Sequence, residues 1–132
     1  MARTGRPRAF ETGAAVDQAL LLFWEHGYEA TSLTQLREAM GGISTASFYA
    51  AFGSKEALFR AVVARYLDTH GRVTASLKDP AWPPRVAVEH VLRASARMQT
   101  GDAHPPGCLV VLSASACSAE SRPIQALSLI HI

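Results

Sequence analysis

Residues 31–55 read TSLTQLREAMGGISTASFYAAFGSK: two short helix signals separated by a glycine turn and closed by a third helix start, the layout of a helix-turn-helix. Thr31 and Ser32 are hydroxyl residues of the kind that cap a helix N-terminus. Leu33, Leu36 and Met40 follow at spacings of three and four and form one apolar stripe. Gly41-Gly42 stops that helix, because glycine takes positive φ without steric cost. Ser44 can cap a second helix, whose Phe48 and Phe52 lie one turn apart on a single face, with Ile43 joining them from just before the cap.

The opposite face of this second helix carries Thr45, Ser47, Tyr49 and Ala50, with no acid and nothing bulky except the tyrosine. Such a surface suits close approach to a polyanion, where phosphates and base edges need hydrogen-bond donors. Gly53-Ser54-Lys55-Glu56 then ends the helix and caps the next, which puts Lys55 and free backbone N–H groups at a positive helix terminus. The competing reading is a helical hairpin packed on a core with the hydroxyls serving only as caps, and spacing alone leaves both open.

Working outward, the 132 residues suit one domain, or a small domain with part of another. Hydrophobic residues make up 48% and charged residues 18%, a globular balance with enough apolar side chains for a core. The net charge of +2 is too small to name a partner, so a nucleic-acid partner has to be argued from where the charges sit. Cys108 and Cys117 lie in an apolar stretch without histidines at ligand spacing, which argues for buried free thiols over a zinc site or a disulfide. No cofactor and no metal site is expected. His26, His70, His90, His104 and His131 are scattered, with no nucleophile or metal partner at useful spacing, so an enzyme is not indicated. His26 fits a helix C-terminus favoured by the dipole, and His104 fits loop surface. The N-terminus lacks the apolar run of a signal peptide and no apolar stretch reaches about 18 residues, so the expectation is a cytoplasmic protein without a membrane span.

Residues 1–8 form a basic arm with Arg3, Arg6 and Arg8 and no acid. Its readings are a strand lying along phosphates or in a minor groove, or a solvated tail. A first helix is predicted from about Thr12 to His26, with Val16, Ala19, Leu20 and Phe23 on its apolar stripe and Gly27 as its end. A longer helix is predicted from Lys55 to about Leu77, carrying Leu58, Phe59, Val62, Val63 and Tyr66. Three prolines within residues 80–84 break the chain. Helices are predicted from about Arg85 to Met98 and from Cys108 to about Cys117, the latter apolar on nearly every side and in need of neighbours.

Residues 127–132, LSLIHI, differ in character from the rest. Written as CTG TCT CTT ATA CAC ATC they resemble the mosaic end of a transposase adapter, so the expectation is an adapter read-through, with a genuine helix start as the alternative. A segment of that origin is kept out of fold reasoning.

Together these residues resemble the TetR/AcrR family of bacterial one-component transcriptional regulators. The resemblance rests on Gly27 to Ser32, on Gly41 to Ser44, and on Tyr49-Ala50-Ala51-Phe52-Gly53-Ser54-Lys55-Glu56-Ala57-Leu58, and it covers about residues 6–66. It implies an all-α fold: a three-helix helix-turn-helix DNA-binding domain over 6–66, then a partial helical ligand-binding and dimerisation domain over 67–126. It implies phosphate contacts from Thr31, Tyr49, Lys55 and the cap at Ser44, with Ser32 as the other half of the hydroxyl pair and Arg6 and Arg8 on the arm. Thr45, Ala46 and Ser47 are the implied groove contacts. Two departures stand out: the turn Met40-Gly41-Gly42-Ile43-Ser44 is one residue longer than is usual in the family, and Arg37 stands where a small residue is common. Arg37 reads either as an additional phosphate contact or as a solvated charge.

The function so implied is a sequence-specific DNA-binding regulator, expected to be a repressor, that is relieved by a small-molecule effector. The partners are double-stranded operator DNA, the effector and, in the intact form, a second copy. The helix opening Pro106-Gly107-Cys108-Leu109 resembles one in the family's regulatory domain, but the dimer-forming helices do not follow, so the chain is expected to be a fragment. The alternative function is a helical small-molecule-binding protein without DNA binding, its pocket placed among Trp82, Val91, Met98 and Cys108.

Overall fold

A computed structural model of the chain describes residues 11–129, and every regular element among them is helical. Helix α1 spans Thr12–His26, α2 Leu33–Ala39, α3 Thr45–Phe52 and α4 Lys55–Asp68. A 3₁₀ helix, Arg72–Lys78, leads to α5 at Pro84–Thr100. Helix α6 at Leu109–Ala116 and a 3₁₀ turn at Ala119–Ser121 precede α7 at Arg122–Leu129. The all-α expectation and the limits of the first three helices hold. The arm with Arg6 and Arg8, and residues 130–132 of the last six, lie outside the described residues.

The core forms where α1 lies on α4. Ala19, Leu20, Phe23 and Trp24 from α1 meet Leu58, Phe59, Val62, Val63 and Tyr66 from α4, all buried in one apolar cluster. Phe23 meets Phe59 edge-on at 5.2 Å and Trp24 meets Tyr66 edge-on at 5.1 Å, which are favourable arrangements for aromatic quadrupoles. Across the rim of this pair, Arg65 grips Asp17 with two hydrogen bonds of 2.7 and 2.9 Å. Leu36 from α2, Met40 from its C-cap, Phe48 from α3, Leu109 and Val110 from α6 and Ile124 from α7 complete the cluster.

The helix expected to run to Leu77 ends at Asp68 instead. Thr69 turns its hydroxyl back to the carbonyl of Arg65 at 2.7 Å, and the amide of Gly71 reaches the carbonyl of Tyr66 at 2.7 Å. A hydroxyl competing for the helix carbonyls, followed two residues later by a glycine, breaks the helix without any proline. The chain then returns as a 3₁₀ helix that packs on α5, and the Ser76 hydroxyl donates to the Ala87 carbonyl at 3.4 Å.

In helix α5 Ala87 is the buried residue, while Val86, Val88 and Leu92 are exposed. Helix α6 does have neighbours, in α7, α1 and α4, which bury Leu109, Val110, Ser113 and Ala114 and leave Val111 and Leu112 exposed on the far side. Leu127 packs against the core and Ser128 is buried within α7. None of the described helices is long and apolar enough to cross a membrane.

Candidate nucleic-acid interface

The site is built from the caps upward. At the start of α2, the Ser32 hydroxyl accepts from the Gln35 amide at 3.1 Å, while the Gln35 side chain accepts from the Ser32 amide at 2.8 Å. This reciprocal capping box satisfies two otherwise orphaned amides. The Ser-x-x-Gln spacing was readable in the sequence and is the signal for it. Helix α2 closes on Gly41 and Gly42, at φ +88° and +73°, a left-handed pair that residues with a Cβ adopt only at a cost.

At the start of α3, the Ser44 hydroxyl accepts from the Ser47 amide at 3.0 Å and donates to the Ser47 hydroxyl at 2.9 Å, which leaves the Ser47 proton free to donate outward. Phe48 is fully buried and anchors the helix, with Phe52 beside it at 5.4 Å. The opposite face, Thr45, Ala46, Ser47, Tyr49 and Ala50, is exposed, and Tyr49 at 48% is its most prominent side chain. The helix therefore offers a narrow acid-free surface of small groups and hydroxyls.

Two expected contacts, and the open reading of Arg37, need revision. Thr31 is wholly inaccessible, and its hydroxyl donates to the Gly27 carbonyl at 2.6 Å, so it closes the α1–α2 connector and has no surface to give to a phosphate. Lys55, at the first turn of α4, is half-buried and lies over the Tyr28 ring at 4.5 Å. Burial lowers its pKa, partly opposed by the Glu29 carboxylate, so its charge is held by the fold as well as offered to solvent. Arg37 is neither a loose surface charge nor aimed only outward: its Nε donates to the Ile43 carbonyl at 2.8 Å, across the glycine turn. Its role was missed because the acceptor is a backbone carbonyl six residues ahead, invisible to side-chain patterning.

The four residues proposed for an effector pocket are not brought together. Met98 and Cys108 do meet on Tyr66, whose hydroxyl donates to Cys108 Sγ at 3.2 Å and reaches Met98 Sδ at 3.6 Å. Trp82 is exposed and sits 4.8 Å from the ring of His90. The rise from His90 to Met98 along α5 is about 12 Å, which separates Trp82 from the other end of the supposed pocket. A cavity of about 280 Å³ lies elsewhere, between the α1–α2 connector and α6, lined by Tyr28, Glu29, Ala30, Ser113, Ala116 and Cys117 among others. Both cysteines are free and half-buried.

Beyond the shared core, two sets of polar and ring contacts join the halves of the chain. Trp24 donates from Nε1 to the Gly107 carbonyl at 3.2 Å and stacks on His104 at 4.4 Å, so His104 is part of a ring cluster with His70 and is not free loop surface. Burial lowers the pKa of His70, His104 lowers it further, and Asp17 opposes both. Beside the interface, Glu29 accepts from the amide of Ser118 at 2.8 Å and from its hydroxyl at 2.5 Å. The Ser118 hydroxyl hydrogen bond, with Ser121 and the Ser118 amide adding to it, holds that carboxyl below the usual range.

Residues 15–62 match the family described as bacterial regulatory proteins, tetR family. The chain is 40% identical over 124 residues to the HTH-type transcriptional repressor ComR of Escherichia coli (strain K12), an alignment covering 91% of this chain and 57% of that one. It is 32% identical over 120 residues to the repressor BdcR of the same strain, covering 91% of this chain and 60% of BdcR. Among solved structures, a cysteine mutant of the TetR family transcriptional regulator CifR, complexed with 26bp double-strand operator DNA, superposes with a TM-score of 0.85 at 46% identity. That match covers 96% of this chain and 66% of CifR. The chain thus spans less than two thirds of the length of each of these relatives. With a matching helix-turn-helix segment and a likeness that extends through almost all of its residues, the chain belongs to the TetR family of bacterial regulatory proteins.

Proposed function

We propose that this chain carries the operator-binding part of a non-enzymatic transcriptional repressor acting in the cytoplasm, with residues up to 66 meeting DNA and residues 67–126 forming part of an effector domain. The observation that carries the reading is the exposed, acid-free face of α3, held outward by the buried Phe48 behind a capped N-terminus. An eight-residue helix of this kind can enter a major groove about 12 Å wide with Thr45, Ala46 and Ser47 at the base edges. Ser32, Ser44, Tyr49 and Lys55 lie along its rim as candidates for phosphates, and Arg6 and Arg8 on the arm are candidates for the neighbouring groove. In the intact protein two copies would place their recognition helices about one helical turn of DNA apart, roughly 34 Å, and an effector would lower affinity by changing that separation. The operator-bound state of CifR and the repressor names of ComR and BdcR support this assignment. Selecting bound duplexes from a random 26-base-pair pool with the unmodified chain is the test. Enrichment of a sequence motif, lost on Tyr49→Ala and Ser47→Ala, is the expected result. No enrichment, or a motif indifferent to both substitutions, would reject it.

A further inference from the structure

Helix α3 is anchored by Phe48 in the cluster that also takes Leu36 and Met40, and it lies against α4. The angle between α2 and α3 depends also on the turn that joins them. That turn contains two successive left-handed glycines, Gly41 and Gly42, the most permissive backbone available. Its backbone ties, Gly41 N to Glu38 O at 3.1 Å and Gly42 N to Arg37 O at 2.9 Å, all close back onto α2 and none reaches α3. The hydrogen bond that crosses the turn is the one from Arg37 Nε to the carbonyl of Ile43, the residue immediately before the Ser44 cap.

We infer that Arg37 is a positioning residue for the recognition helix: it spans the double-glycine turn and sets the tilt at which α3 is presented. A charged donor on a neutral carbonyl makes a short, strong bond, and Arg37 is half-buried, so water competes poorly for it. The inference rests on the operator-binding reading above, but its geometry can be tested without DNA.

Two substitutions separate this role from its rivals. Arg37→Ala removes the donor. Arg37→Gln keeps a donor nitrogen at the same number of bonds from Cα as Nε but removes the charge. Each variant of the full chain is measured for amide exchange, and for affinity toward the selected duplex and a scrambled one over a range of salt. Positioning predicts that Arg37→Ala binds the selected duplex about tenfold more weakly, with little change on the scrambled duplex and an unaltered salt slope. It predicts faster exchange in α3 but not in α1 or α4, and restoration of both properties in Arg37→Gln. If Arg37→Gln is as weak as Arg37→Ala and the salt slope of each falls by about 0.9, Arg37 is a phosphate contact and the inference is overturned. An Arg37→Ala chain that matches the parent in binding and exchange also overturns it. If the parent selects no duplex, the operator reading fails by itself, and exchange decides: α3 loosened by alanine and restored by glutamine keeps the positioning role, and no loosening ends it.

Discussion

Replacing Phe48 with alanine should release the recognition helix while leaving the rest of the core intact. Helix α3 has eight residues, and Phe48 is its buried one. The ring is fully buried, and it meets Phe52 at 5.4 Å and Tyr49 edge-on at 5.6 Å. Truncating a buried phenylalanine costs about 3–5 kcal/mol from lost transfer energy and the cavity left behind. An eight-residue helix has almost no intrinsic stability in water, so that cost falls on the attachment of α3 and not evenly on the domain. At about 1.4 kcal/mol per factor of ten, the amides that report the helix should exchange between about a hundredfold and four thousandfold faster.

The amides to follow are Phe48, bonded to Ser44, and Gly53, bonded to Tyr49. The Leu58 amide, bonded to Ser54 in α4, serves as the internal reference. Phe48→Leu, which keeps most of the volume, should cost less than about 1.5 kcal/mol and exchange nearly normally. Affinity for a selected duplex should fall with the fraction of chains whose α3 is docked. Equal acceleration in α3, α1 and α4 would refute the reasoning by showing one cooperative unit, and less than tenfold acceleration in α3 would show that other contacts hold it.

Other outcomes follow from the same geometry. Thr31→Val, which deletes a fully buried hydroxyl and strands the Gly27 carbonyl, should destabilise the chain by about 1–3 kcal/mol in chemical denaturation while leaving the salt slope of DNA binding unchanged; a slope reduced by about one would restore Thr31 as a phosphate contact. The lowered pKa of His70 means that the unfolded chain takes up a proton at a higher pH than the folded one. Stability is then fully present above the unfolded value of about 6.5 and is lost as pH falls from there through the folded value, so the melting temperature should drop below about pH 6.5. His70→Gln should flatten that drop, and an unaltered profile would count against the ring cluster as its cause. Glu29→Gln should speed exchange at the Ser118 amide, its partner at 2.8 Å, more than at α1. The parent should show the same loosening in acid as pH falls through the depressed pKa of Glu29.

Much of this molecule is legible residue by residue. The caps at Ser32, Ser44 and Ser54, the glycine stop after α2, the stripes of α1 and α4 and the two-sided character of α3 are all local. Each depends on a few neighbouring side chains and the helical period, so spacing alone reveals it. The family likeness was legible for the same reason, since its signature lies in one continuous run.

Tertiary structure decided what depended on residues distant in sequence or on backbone acceptors. Thr31 looked like a surface cap, yet it is sealed under the connector by Gly27 and Leu22 carbonyls that no side-chain pattern announces. Arg37 read as a phosphate contact or a solvated charge until the fold brought the Ile43 carbonyl to it, and His104 looked like loop surface until Trp24 lay beneath it. Met98 and Cys108 share Tyr66, while Val91 sits two turns back along α5 and Trp82 lies before its start, because a helix distributes over its length what a list of apolar residues gathers into one pocket. The short-range order came from sequence, where helix signals are local; the accessibility of each candidate contact came from packing, because exposure is a property of the neighbours and not of the residue.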